Sequence, residues 1–117
     1  MTYRLRIERW HPVRLNKLMN CHHGTRTRLR RADDNMVGYN AIYHRIPIAT
    51  GRRRVDLHIT LGPRQQEGDE DNWWKSIKDA LVNSKLLIDD KRRWCEQGDV
   101  TFDRGPERAT VISLTDL

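Results

Sequence analysis

The chain is poor in the features that mark several large classes of protein. It holds two cysteines in 117 residues, Cys21 and Cys95, too few for a disulfide scaffold and in no CxxC pair, so a reduced cytoplasmic protein is the expectation. No apolar run approaches the ~18 residues needed to span a bilayer. The opening Tyr3-Arg4-Leu5-Arg6 alternates charge with apolar residues where a secretory leader would be continuously apolar. No membrane partner is therefore expected. Neither GxxxxGK[ST] nor GxGxxG occurs, so no nucleotide cofactor is predicted. Cys21-His22-His23 lacks further ligands at zinc spacing, the other cysteine lying far along the chain. Repeats, low-complexity tracts and linkers are missing too, and the length is that of one domain spanning 1–117.

What the chain has in quantity is charge: 22 Lys/Arg against 16 Asp/Glu, with 32% of residues ionic. The charge is unevenly placed. Residues 1–68 carry 14 basic against 5 acidic residues, and residues 69–117 carry 8 against 11. Thirteen of the first fourteen cations are arginine, whose planar fork suits bidentate phosphate contact. Nucleic acid is the expected partner, with Arg26, Arg28, Arg30, Arg31, Arg52, Arg53 and Arg54 as candidate DNA contacts. The acidic second half would repel the same phosphates unless cations bridge the two.

Periodicity predicts the elements. Residues 3–9 alternate as a half-buried strand does, and Val55 to Leu61 is the clearest strand. Residues 12–24 read as a loop. Leu29, Ala32, Met36, Tyr39 and Tyr43 recur at spacings of three and four, predicting an amphipathic helix over 26–45 with that stripe on the core. A second helix is predicted over 72–86, capped by Asp71 or Asn72, with one of Trp73 and Trp74 facing the core and the other a boundary or partner. Strands at 94–103 and 109–115 follow, joined by a turn at Arg104-Gly105-Pro106-Glu107 and expected to form a hairpin. His44 and His58 read as surface residues without partners. The order implies an α+β, two-layer domain in which a mixed β-sheet packs against two helices.

The acidic residues are grouped. Asp69 and Asp71 stand at i and i+2 before the second helix, and Asp89-Asp90 follows it some twenty residues on. Should the chain return to the same sheet edge, three or four carboxylates would converge and need a cation to neutralise them. Mg2+, which takes oxygen ligands, answers that need and would bridge the acidic patch to phosphate. Lys75 and Asp79 follow Asp71 at i+4 and i+8, close to one helix face, from which the Lys75 ammonium could offset charge developing on a phosphate. The same spacing also describes a surface ion ladder contributing ~0.3–0.5 kcal/mol per pair.

At these residues the sequence resembles the RusA-like family of crossover-junction (Holliday-junction) endodeoxyribonucleases. Asp69-Glu70-Asp71-Asn72-Trp73-Trp74-Lys75-Ser76-Ile77-Lys78-Asp79-Ala80-Leu81, then Leu86-Leu87-Ile88-Asp89-Asp90, is similar to the family pattern D-x-D-N-x-x-K-x-x-x-D-A-L followed by an apolar run and D-D. A weaker likeness at Trp10-His11-Pro12-Val13-Arg14-Leu15-Asn16-Lys17 extends it over most of the chain. The resemblance implies that Asp69, Asp71 and Asp90 are catalytic carboxylates binding Mg2+, that Lys75 is the catalytic lysine, and that Asp79 and Asn72 support them from behind. It also implies a homodimer that cuts two opposed strands of a four-way junction in DNA recombination and repair. Lys91-Arg92-Arg93-Trp94, where many relatives turn apolar, departs from the pattern. A catalytically silent DNA-binding module, and a nuclease for other branched DNA, are the competing readings.

Overall fold

Alternation of apolar with polar side chains sets the sheet. The computed structural model describes residues Met1–Leu117, in the order β1 (Thr2–Glu8), α1 (Leu15–Met19), α2 (His23–Tyr43), β2 (Arg53–Leu61), α3 (Asp71–Asn83), β3 (Cys95–Arg104) and β4 (Ala109–Asp116). Leu5 and Ile7 of β1, Val55, Leu57, Ile59 and Leu61 of β2, and Ile112 and Leu114 of β4 are buried at every second position. They join Trp73, Ile77, Ala80 and Leu81 of α3 in one cluster of 20 buried residues. The result is an α+β domain of two layers, a mixed four-stranded sheet with helices on one side. The opposite face of the sheet carries the Arg54–Asp56 ion pair at 3.0 Å and a His58–Asp103 contact at 3.4 Å. His58, predicted to lack a partner, thus has one, and Thr101 Oγ1 lies 2.7 Å from its Nδ1.

The strand order is β1-β4-β2-β3. β4 runs antiparallel to both of its neighbours, and β2 and β3 are parallel, joined through α3. The expected hairpin between the last two strands does not form, because β2 lies between them. The turn at Arg104–Glu107 instead carries the chain across the end of β2, where the Gly105 N–H donates to the Leu61 carbonyl at 3.0 Å. β3, with Glu96, Asp99, Asp103 and Arg104 among its residues, suits the edge position, where charge discourages further pairing.

The helices depart from expectation more than the strands. A short third helix, α1, occupies the predicted loop and buries Leu18. α2 begins three residues early, at His23, because the His22 imidazole accepts from the Gly24 N–H at 3.2 Å and so caps it. Its buried row is Asp33, Val37 and Ala41. The stripe predicted to face the core points outward: Tyr39 is 69% exposed and Tyr43 81%. Beside that row, a Cβ on Gly38 would meet Ser84 Oγ at an ordinary contact distance of 3.5 Å.

In α3, Glu70 holds the cap position without a side-chain cap bond, so neither Asp71 nor Asn72 caps the helix. Trp73 and Trp74 are both buried, correcting the expectation that one would face outward. Trp73 is enclosed by His11 and Phe102 edge-on and by the Arg14 guanidinium 4.3 Å above its ring, and its indole N–H donates to the Glu67 carbonyl at 2.8 Å.

Candidate active site

α3 presents a polar row, Asn72, Ser76, Asp79 and Asn83, at helical spacing beside its apolar face. Each of three members fixes a neighbour. The Asn72 carboxamide oxygen accepts from the Asn16 N–H at 3.2 Å, Ser76 Oγ donates to the Val13 carbonyl at 2.7 Å, and Asn83 Nδ2 donates to Asp34 Oδ2 at 3.0 Å. Between this row and α2 lies a cavity of about 320 Å³. Five carboxylates line it: Asp33 and Asp34 from α2, Asp79 from α3, and Asp89 and Asp90 from the segment after α3. Arg30 is the cation in its wall. Lys75 reaches its rim through Asp79, Nζ to Oδ1 at 3.3 Å.

The carboxylates differ in environment. Asp33 is 6% exposed, and burial pushes its carboxyl up to about 6, even though its Oδ2 accepts from the Val13 N–H at 2.9 Å. Asp89 moves the other way: hydrogen bonding to the Asp90 side chain and from the Asp90 N–H, the latter at 2.7 Å, holds it below the ordinary carboxylate range. One cavity therefore contains a carboxyl that takes up a proton readily and a carboxylate that resists one.

Of the residues singled out from sequence, Asp90 and Asp79 line this cavity and Lys75 stands beside it. Asp69 and Asp71 do not line it; both are exposed at the start of α3. With a rise of about 1.5 Å per residue, Asp79 lies ~12 Å along the axis from Asp71. The separation has a local cause. Directly beyond α3, the N–H groups of Leu86 and Leu87 both donate to the Leu81 carbonyl, and both side chains are buried. The chain is thereby pinned beside the last turns of α3 before it reaches Asp89-Asp90. Asp69, Asp71 and Asp90 thus do not form a three-carboxylate ligand set, and no group of three acidic, His or Cys side chains is placed to hold a metal ion. The donors available are nonetheless all oxygen, the set that hard cations take, and Mg2+ is commonly held by one or two carboxylates together with water and substrate phosphate.

The candidate DNA-binding arginines divide. Arg28, Arg30 and Arg31 are exposed along α2, whereas Arg26 is half-buried and donates to the Leu18 carbonyl at 2.9 Å. Arg53 is not available to DNA: it is 2% exposed, paired with Asp116 at 2.7 Å and bonded to the Leu86 carbonyl at 3.0 Å. The alternation of β2 turns it inward. Arg54 is enclosed by Asp56, Glu96 and Asp99, and Arg52 donates to the Arg92 carbonyl at 2.9 Å. Asp33 and Asp34 were not found from sequence, since an acidic pair inside a helix carries no motif. The signal that could have found them is that Asp33 falls four and eight residues before Val37 and Ala41, on the row that is buried.

Neither a scan against models of known protein families nor a search of curated proteins finds a match for the chain.

Proposed function

We propose that the protein is a Mg2+-dependent endodeoxyribonuclease of the RusA-like kind, acting on four-way DNA junctions as a homodimer. The observation that carries the reading is the carboxylate-lined cavity between α2 and α3, with Asp90 in its wall, Lys75 at its rim and the Arg28–Arg31 surface beside it. In this reading Asp90 and Asp79, which both line the cavity, share a divalent ion with a phosphate. A bound Mg2+ would polarise the scissile phosphate and lower the pKa of its water. The chain itself supplies the Lys75 ammonium, held by Asp79, to offset negative charge on the phosphate, and arginine cations to hold the strand.

The homodimer reading draws support from α2. Residues 35–44 contain no Lys, Arg, Asp or Glu in a chain that is 32% charged, yet Met36, Tyr39, Ile42 and Tyr43 there are exposed. A protein of net charge +6 meets a second copy of itself with least repulsion at such a face.

The test is a panel of labelled four-way, three-way and linear duplex DNA with Mg2+, with Ca2+ and with chelator. Paired nicks in the four-way junction with Mg2+ alone are expected. Asp79→Asn and Asp90→Asn should each abolish nicking while leaving junction binding in Ca2+ intact; full cleavage by both variants would defeat the assignment. The separation of Asp69 and Asp71 from Asp90 favours a second reading, a DNA-binding module without catalysis, which predicts junction binding and no nicks under any condition. Faster cutting of three-way than four-way DNA would shift the substrate to other branched forms.

A further inference from the structure

A second cavity, of about 510 Å³, adjoins the acidic one and shares Asp33 as its wall. Its character is opposite. Arg14, Lys17 and Arg108 line it, and none of the three is ion-paired within the chain. Two of them are held in place. The Arg14 guanidinium lies over Trp73, 4.3 Å from the ring centroid, and donates to the Gln66 carbonyl. Arg108 Nε donates to the Arg9 carbonyl at 3.0 Å, which leaves its terminal nitrogens free. The far wall is braced as well: Arg104 donates to the carbonyls of Gly62 and Gln65, and the Gln65 side chain accepts from the Gly62 N–H at 2.8 Å.

We infer that this groove is a phosphate seat, in which Arg14, Lys17 and Arg108 receive a backbone phosphate of the DNA strand whose neighbouring segment crosses the acidic cavity. The inference rests on the nucleic-acid part of the proposed function and specifies where the strand lies. Three cations around a concave surface, two of them fixed before the ligand arrives, lose little side-chain freedom on binding an anion. Asp33 is the carboxyl in the lining, and one of its oxygens is already engaged by the Val13 N–H. Burial lowers Arg14 from its ordinary value, and no carboxylate of the chain is paired with it. The groove also ties two stretches of sequence to one job. Arg14 directly precedes α1 and Lys17 lies within it, and the N–H of Asn16 between them is bonded to Asn72, one residue from Asp71.

The test needs no catalysis. Binding of a fluorescent four-way junction is measured in chelator as a function of salt for the whole chain, for Lys17→Gln/Arg108→Gln, and for Arg4→Gln/Arg6→Gln on the uncovered face of the sheet as a charge-matched control. Lys17 is exposed and bonded to nothing, and Arg108 is exposed, so both variants are expected to fold, as checked by circular dichroism. The groove variant should lower the slope of log affinity against log salt by about two units, the control by far less. Equal slopes for the two variants overturn the inference. Inorganic phosphate, titrated alone, separates the sources. Amide shifts at Lys17 and Arg108 that saturate only in the millimolar range fit a backbone seat, whereas micromolar saturation with DNA affinity unchanged in the groove variant identifies free phosphate and overturns it. Nicking without a slope change defeats this inference alone. A slope change in a protein that never nicks defeats the nuclease reading alone.

Discussion

Asp33 is the residue whose chemistry is most altered by the fold. Its carboxyl, pushed up to about 6 by burial, binds a proton in the folded state over a range where the unfolded chain, near 3.9, has already released it. Folding is therefore favoured at low pH by this group, and stability should fall as pH rises from about 4 to 6 and then level off. A shift of this size corresponds to a contribution on the order of 3 kcal/mol. Asp33→Asn keeps an oxygen for the Val13 N–H and has no charge to desolvate. It should be more stable than the wild type at pH 8 and no more stable at pH 4, as urea unfolding at the two pH values would measure. Curves for the two proteins that stay parallel across that range would show that Asp33 is not the titrating group. Because Asp33 stands between the acidic cavity and the basic groove, the same protonation sets the charge that a strand crossing both would meet.

At the scale of elements, two glycines make opposite predictions. Gly98 sits on β3 opposite the irregularity between Val55 and Leu57, where the Asp56 carboxylate folds over to accept from the Asp99 N–H at 2.8 Å. A Cβ at Gly98 would lie 2.1 Å from Asp56 Oδ1 and 2.8 Å from the Val55 carbonyl oxygen. The side-chain atom can swing away but the backbone cannot. Gly98→Ala should lower the urea midpoint by the equivalent of about 1–3 kcal/mol. Gly38, inside α2, would place its Cβ at an ordinary 3.5 Å from Ser84 Oγ. Gly38→Ala should raise stability by about 0.4–1 kcal/mol by reducing the freedom of the unfolded chain. Strands were readable because period-two burial is a local property: Val55 to Leu61 lie one-face-in as their alternation predicts. Which strands become neighbours was not readable, since pairing β3 with β2 rather than β4 depends on α3 crossing the sheet. α2 misleads for a different reason. Its longest apolar stripe and its buried row are different sets of residues, and the buried one includes an aspartate and an alanine. Likewise the motif from Asp69 to Asp90 is continuous in sequence, but Leu86 and Leu87 dock beside α3 and Asp90 lines the cavity that Asp79 lines and Asp71 does not.

For the whole molecule, the outward stripe of α2 bears on the proposed pairing of two copies and, through it, on how many cuts the proposed nuclease would make in one binding event. Met36, Tyr39 and Tyr43 lie on one row, with Ile42 beside Tyr39. None belongs to the core cluster, which is complete within one chain, so a change here should leave the fold intact. Two-fold pairing sets one patch against its own copy, and a residue near the axis meets itself. An arginine there would face another arginine in a protein already carrying +6, and tyrosine is among the residues that dominate such interfaces, costing ~2 kcal/mol or more when lost. Tyr39→Arg should thus sediment as a monomer at concentrations where the wild type is expected to dimerise, with an unchanged circular-dichroism spectrum. The functional consequence follows from symmetry. A dimer seated on a junction can nick opposed strands before it leaves, whereas a monomer makes one nick per encounter. On a supercoiled plasmid that extrudes a cruciform, the wild type should yield linear DNA and Tyr39→Arg chiefly nicked circles. A Tyr39→Arg protein that remains dimeric would place the two-fold axis elsewhere, and a wild type that is monomeric but still linearises the plasmid would remove the need for a dimer.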